Sequence, residues 1–187
     1  MRQTSQSEMP RHFVLNRTRR SRNDPDRESR DRPDPVARHQ APRSAIWNAW
    51  TDPASFARWW IPAPAKCKVE KMELRPGGAL VTRISEDGGP FQPHLDACFL
   101  AIDEQERIVF TNTLTGGWRP ADQPFMTAII TLREHPQGTD YAAHVMHRSK
   151  SERDMHEEMG FHDGWGTVAR QLAELVEPSE RLVLKSA

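Results

Sequence analysis

The segment "HEEMGFHDGWGTVARQLAELV", residues 156–176, decides the fold that we predict from this sequence. Apolar residues recur at helical spacing in its second half: Val168, Leu172, Leu175 and Val176. Upstream, Ser149 and Glu152 form an S-x-x-E capping box, so we predict one amphipathic helix from about residue 150 to residue 176. No other predicted element is long enough to cover one face of a sheet, and we expect this helix to do so.

Three glycines, at positions 160, 164 and 166, interrupt the first half of this helix. Glycine inside a helix costs roughly 0.8–1 kcal/mol relative to alanine, so these residues need a local reason. We expect a helix that passes close to the sheet or bends over a cavity, with a soft or kinked start. The alternative is that the helix proper begins near Asp163 and that the residues before it are irregular.

The sequence upstream of this helix predicts two short helices and then a series of strands. In "APRSAIWNAWTDPASFARWW" (41–60), Pro42 and Pro53 fit first helical turns, and Asp52 can cap the second helix. Strand-like runs follow at 67–74, 79–85, 94–103, 107–115, 125–134 and 139–147. Their short spacers favour antiparallel pairing, because parallel strands need long crossovers. The predicted fold class is α+β: a curved antiparallel β-sheet wrapped around a long C-terminal helix, with two short helices after the first strand.

Composition divides the chain into a domain with two tails. Residues 1–33 are rich in arginine, interleaved with acidic residues, and contain few apolar residues. Such a segment cannot bury enough surface to offset its ordering entropy, so we predict a disordered tail there, a single domain over 34–178 and a C-terminal tail over 179–187. The first strand has two candidates, residues 12–18 and residues 35–40, of which 12–18 looks more like a strand.

Charge, hydropathy and cysteine content exclude several classes of function. The formal net charge is zero, so whole-molecule charge predicts no polyanionic partner, and we expect no nucleic-acid binding by the arginine-rich tail. No apolar run approaches the roughly 18 residues of a membrane span, and no signal peptide opens the sequence, so we predict a cytoplasmic location. Cys67 and Cys98 are the only cysteines, and we expect buried, reduced thiols rather than a disulfide.

Several stretches together resemble one family. They are "APRSAIWNAWTDPASFARWW", "ELRPGGAL" (73–80), the Gly-Thr-Asp before the last strand and "MGFHDGWGTVARQLAELV" (159–176). They resemble the START-like (SRPBCC, helix-grip) superfamily, and within it the family named after the activator of the 90-kDa heat-shock protein ATPase. The resemblance covers about residues 34–178. It implies the helix-grip fold firmly and a function more loosely, because one fold hosts many functions.

The resemblance implies binding of a small, mostly apolar molecule in a cavity between the sheet and the C-terminal helix. The alternative is a protein-interaction module that regulates a chaperone through the outer face of the sheet. The eukaryotic activators also carry a separate chaperone-binding domain, which residues 1–33 do not resemble. No motif in the sequence requires catalysis or a cofactor, so we expect binding without turnover, and cyclase- or hydrolase-like activity is implied only by analogy with the superfamily.

Helical phase selects the first candidate site residues. At about 100° per residue, Phe161, Glu158 and His162 fall within the same inward stripe as Trp165, whereas His156 faces water. Glu158 and His162 are four residues apart, so we interpret them as polar anchors of a ligand cavity, as a structural pair without a ligand, or as a surface pair near a frayed helix end. The two histidines diverge by roughly 120° and cannot share a metal ion, so no metal site is predicted.

Strand parity supplies the remaining candidates. His144 and Met146 share one face of the last strand and are predicted to line the cavity, whereas His147 takes the other face. Arg83 shares a face with Val81, as a rim cation or an interior charge. Trp118, in the loop after a strand, is predicted to form a lid over the pocket or to cover a sheet end.

Overall fold

The computed structural model describes residues 37–177. The predicted tails and the candidate strand at 12–18 lie outside the described residues. The first strand within them is formed by Ala37–His39, in the other candidate segment, and it pairs with the last strand of the sheet. A short, polar segment suffices here, because it lies at an edge of the sheet and only His39 of its three residues is buried.

Nine strands and four helices make up the described part of the chain. In order they are β1 (Ala37–His39), α1 (Arg43–Thr51), α2 (Pro53–Phe56), β2 (Lys66–Met72), β3 (Ala79–Ser85), β4 (Gln92–Asp103), β5 (Arg107–Thr111), β6 (Leu114–Thr115), β7 (Arg119–Pro120), β8 (Met126–His135), β9 (Gly138–His147), α3 (Lys150–Glu158) and α4 (Phe161–Val176). Seven strands form one antiparallel sheet in the order β1-β9-β8-β5-β4-β3-β2, and β6 and β7 form a separate hairpin.

One face of the large sheet is apolar and carries the core. At its centre, Ile130 lies opposite Ile108 on one side and Ala143 on the other, and all three are buried. Register shifts in the β2–β3, β3–β4 and β4–β5 ladders bend the sheet. Helix α4 packs its buried Val168 and Leu172 into the same core. The predicted α+β class is therefore confirmed.

The two predicted short helices are present and hold a cluster of aromatic side chains. Asp52 caps α2, because its carboxylate accepts a hydrogen bond of 2.8 Å from the backbone N–H of Ser55. The rings of Trp50, Phe56 and Trp59 contact one another and are buried. Trp59 Nε1 also donates a hydrogen bond of 2.9 Å to the carbonyl of Ala49. These contacts bind the two short helices to the core.

The prediction of one continuous C-terminal helix was wrong. Ser149 caps α3, since its Oγ accepts a hydrogen bond from the backbone N–H of Glu152 at 3.2 Å, but the carboxylate of Glu152 pairs with Arg148 and does not complete the predicted capping box. Helix α3 nevertheless ends at Glu158, and α4 begins only at Phe161. Between them Gly160 adopts a left-handed conformation with φ of 89°, which a residue with a Cβ adopts only under strain. The glycine therefore ends one helix and starts the next in a different direction.

Both cysteines are free thiols, as predicted, but Cys67 is only partly buried. Cys98 is fully buried, and burial raises the pKa of the Cys67 thiol to about 11. Within residues 37–177, none of the helices combines the length and the hydropathy that a membrane span requires.

Candidate functional site

A pocket of about 400 Å³ opens between the helices α3 and α4 and the sheet. The helical wall consists of His156, Met159, Gly160, Phe161, Gly164, Trp165 and Val168. The opposite wall consists of Trp60, Pro62, His94, Leu95, Asn112, Phe125 and Met126. The pocket therefore lies at the break between the two C-terminal helices, where the glycine-rich segment passes the sheet.

Hydrogen bonds from Gln171 hold α4 in place beside this pocket. Its side-chain nitrogen donates to the carbonyls of Trp59 and Ile61, both at 2.9 Å. Its side-chain oxygen accepts a hydrogen bond of 2.7 Å from the backbone N–H of Ala63. One glutamine thereby satisfies three backbone groups in the segment that follows α2, and it fixes the distance between that segment and the helix.

Aromatic rings form a continuous wall along the helical side of the pocket. The ring centroid of His156 lies 4.7 Å from that of Phe125 and 4.5 Å from that of Phe161. Phe161 is followed by Trp165 at 5.8 Å, and Trp165 contacts Trp60 at 6.1 Å. These separations are those of favourable tilted and edge-to-face ring pairs. The wall therefore joins the pocket to the aromatic core around α1 and α2.

His156 forms the polar part of this wall and contradicts the prediction that it faces water. Its Nδ1 lies 2.8 Å from Nε2 of His147, so one of the two rings donates a hydrogen bond to the other. Burial lowers the pKa of His156 to about 4, with smaller contributions from His147 and His162. The ring is consequently neutral near pH 7. The prediction was wrong because the left-handed Gly160 interrupts the helical phase from which it was derived.

Two polar side chains lie in the opposite wall. His94 Nδ1 is within 3.0 Å of Thr82 Oγ1, and partial burial lowers the pKa of this histidine. Asn112 accepts hydrogen bonds at its Oδ1 from the backbone N–H groups of Phe125 and Met126, at 3.3 and 2.8 Å. Its side-chain nitrogen stays available as a donor. Sequence reasoning missed both residues, although the asparagine between Thr111 and Thr113 in a strand-like run was a signal that could have been used.

The predicted residues of α4 divide into two groups. Phe161 and Trp165 lie in the pocket wall. Glu158 and His162 do not, and the prediction that they form an inward polar pair was wrong. The side chain of His162 is 63% exposed, and its Nε2 lies 3.9 Å from Glu157 rather than near Glu158. A spacing of four residues brings two side chains together only within one helix. Glu158 and His162 belong to different helices, so the spacing does not place them side by side.

The predicted strand residues lie on the outer face of the sheet. Tyr141 and Val145 of β9 are buried, so His144 and Met146 point away from the core, and Met146 is 37% exposed. Arg83 likewise points outward, where its Nε lies 2.7 Å from a carboxylate oxygen of Glu70. These three predictions of cavity-lining side chains were wrong. Alternation along β9 shows which residues share a face, and the apolar Tyr141, Ala143 and Val145 marked the face that packs on the core.

Trp118 is neither a lid nor part of the pocket wall. It lies in the turn between β6 and β7, is 51% exposed and packs over Gly77. A Cβ atom at Gly77 would approach Nε1 of Trp118 to 2.5 Å, so the indole fills the place of a side chain there. Trp118 lies beside the turn that leads into β3. This position is closer to the second prediction, that Trp118 covers one end of the sheet, than to the prediction of a lid.

Comparisons with known proteins agree with this architecture. The family model described as "Activator of Hsp90 ATPase homolog 1-like protein" matches residues 40–177. Protein NE0264 from Nitrosomonas europaea is 37% identical, over 75% of this chain and 90% of that chain, with a TM-score of 0.69. Protein CV1439 from Chromobacterium violaceum is 26% identical, over 78% of this chain and 96% of that chain, with a TM-score of 0.61. A search of curated proteins finds no match.

Proposed function

The chain belongs to the family of activator of Hsp90 ATPase homolog 1-like proteins, and we propose that it binds a small, mostly apolar molecule in the pocket between the sheet and α4. The observation that carries this proposal is the pocket itself. Its volume of about 400 Å³ falls in the range of small-molecule sites, and most of its wall consists of aromatic and aliphatic side chains. A few polar groups in such a wall orient the bound molecule.

The residues that we assign to binding combine predicted and newly found positions. Phe161 and Trp165 supply ring surface on the helical side. His156, His94 and Asn112 supply the hydrogen-bonding groups. Of the lining residues, none is a serine, a cysteine or a carboxylic acid. The second role predicted from the resemblance, regulation of a chaperone, stays a prediction.

Fluorescence of an uncharged apolar dye, Nile red, tests the proposal. We expect its emission to increase and shift to shorter wavelength on addition of the full chain, because the dye leaves water for the pocket. Replacement Trp165→Ala removes ring surface from the pocket wall and should weaken dye binding by about tenfold, equivalent to 1.4 kcal/mol.

A matched control is provided by Trp118→Ala. This substitution removes the same side chain from an exposed position outside the pocket, so dye binding should be unchanged. Equal losses in the two variants would contradict the assignment of the site, and so would dye binding that Trp165→Ala leaves intact. Native mass spectrometry of freshly purified protein then shows whether a small molecule co-purifies, and whether Trp165→Ala loses it.

A further inference from the structure

The wall of the pocket contains no charged group. Of the residues that line it, none is Asp, Glu, Lys or Arg. Its only titratable side chains are His94 and His156, and partial burial lowers the pKa of both, so each is neutral near pH 7. An anion or a cation that entered would lose its hydration without gaining an ion pair, which is unfavourable.

Two glycines leave room beside the ring wall. A Cβ atom built at Gly160 or at Gly164 would have no neighbour within 4 Å, so both positions face open space. Gly160 is needed for its left-handed backbone, but Gly164 has an ordinary helical conformation. At Gly164 the backbone does not require glycine, and glycine makes the helix less stable there than alanine would. The consequence of a missing side chain at this position is space next to Phe161 and Trp165.

The rings around that space favour a flat molecule. Phe161 and Trp165 are tilted by only 36° to each other, whereas Trp165 meets Trp60 edge to face at 84°. A planar ring system gains offset-stacked and edge-to-face contacts on such a wall, in addition to the burial of its area. A flexible alkyl chain of equal hydrophobicity gains burial alone and loses rotational freedom.

Resting on the proposed function, we infer that the occupant is an uncharged, planar aromatic molecule with a hydrogen-bond acceptor, and that Gly164 determines which sizes of ring system fit. The acceptor pairs with the side-chain nitrogen of Asn112, since the oxygen of that side chain is already used by two backbone N–H groups. Selection is therefore by charge and by shape together.

Isothermal titration calorimetry of the full chain near pH 7 tests this with four probes. The first is 2-acetylnaphthalene, which is neutral, planar and carries a carbonyl. The second and third are 2-naphthoate and 2-naphthyltrimethylammonium, which keep the ring system but carry a negative or a positive charge. The fourth is 2-nonanone, a straight-chain ketone of similar hydrophobicity. We expect 2-acetylnaphthalene to bind about tenfold or more tightly than each of the others.

A pair of glycine variants tests whether the probe binds in the pocket. Gly164→Leu fills the open space and should weaken binding of 2-acetylnaphthalene by about tenfold or more. Gly166→Leu adds the same side chain to the same helix at a position that does not line the pocket, and it should leave binding unchanged. If Gly164→Leu does not fold, Gly164→Ala provides a smaller addition at the same place, with a weaker loss of binding expected.

The outcomes separate this inference from the proposed function. Binding of 2-naphthoate, of the ammonium probe or of 2-nonanone as tightly as 2-acetylnaphthalene overturns the inference and leaves an apolar binding site. The inference is also overturned if both Gly164 variants bind 2-acetylnaphthalene as tightly as the native chain does. If none of the four probes and no Nile red binds, the proposed function itself is wrong.

Discussion

Two aromatic regions of this protein contain the same residue types but have different roles. Around α1 and α2, the side chains of Trp50, Phe56 and Trp59 are almost fully buried and contact one another on several sides. At the break between α3 and α4, Phe161 and Trp165 are only partly buried and border open space. The first region fills volume and supplies stability, whereas the second leaves volume empty. Aromatic content alone does not distinguish a core from a binding site, but the glycines beside the second region do.

Truncation of one phenylalanine in each region tests this difference between the two regions, and it has the largest effect that we expect. Phe56→Ala opens a cavity in closely packed surroundings and should lower the free energy of unfolding by about 3–5 kcal/mol. Phe161→Ala removes a partly buried ring at the pocket and should cost about 1 kcal/mol. Urea denaturation measures both values. Similar losses for the two variants would show that the pocket wall is as much a structural core as the cluster around α2.

Acid should weaken the pocket region through His156. The folded-state pKa of His156 is about 4, below the ordinary value of 6.5, so the unfolded chain takes up the proton first as the pH falls. The stability contributed by the neutral ring is thus fully present above pH 6.5 and is lost as the pH falls from 6.5 through about 4. Because the ring is partly exposed, we expect a loss of about 1–2 kcal/mol rather than the full value of the shift.

The measurement is the difference in unfolding free energy between pH 7 and pH 4.5, in the native chain and in His156→Phe. His39 and His94 also have lowered pKa values and act in the same direction, so the comparison between the two chains isolates His156. His144→Asn changes a histidine on the outer face of β9 that does not contribute to the lowered pKa of His156, and it serves as the control. An identical pH dependence in the native chain and in His156→Phe would exclude this role.

The smallest effects are expected at two neighbouring glycines, where substitution by alanine should change the stability in opposite directions. Gly160→Ala places a Cβ on a residue with φ of 89° and should destabilise by about 1 kcal/mol. Gly164→Ala improves helix propensity at an open position and should stabilise by up to about 1 kcal/mol, while it narrows the pocket. Thermal unfolding monitored by circular dichroism checks both signs. Destabilisation by Gly164→Ala would show that its surroundings are packed rather than open.

Local sequence signals predicted the fold well. Asp52 and Pro53 specify the start of α2, and Ser149 with Glu152 specifies the start of α3, because capping acts between residues close in sequence. Short polar connections likewise restricted the strands to antiparallel pairing. Each of these features depends on neighbouring residues alone, which one sequence shows directly.

The site was predicted less well, because it depends on how distant segments meet. Phe161 and Trp165 share a helix, and their common face follows from its period. Between His156 and Phe161, the left-handed backbone of Gly160 interrupts the helix. Because of this interruption, Glu158 does not lie on the face that a continuous helix predicts for it. His144 was assigned to the wrong face of β9, although the buried Tyr141, Ala143 and Val145 alternate with it and mark the apolar face. The local pattern thus contained a signal for the covered face, but it did not show how α3 and α4 meet the sheet.

The left-handed Gly160 also divides the C-terminal segment into two units that differ in local stability. Helix α3 has nine residues and no buried side chain, whereas α4 is anchored by Val168 and Leu172. Detaching α3 breaks the hydrogen bond between His147 and His156 and the ring contacts of His156 with Phe125 and Phe161, and it leaves the core of the domain intact. Local unfolding of the C-terminal segment is therefore expected to begin at α3 rather than at α4.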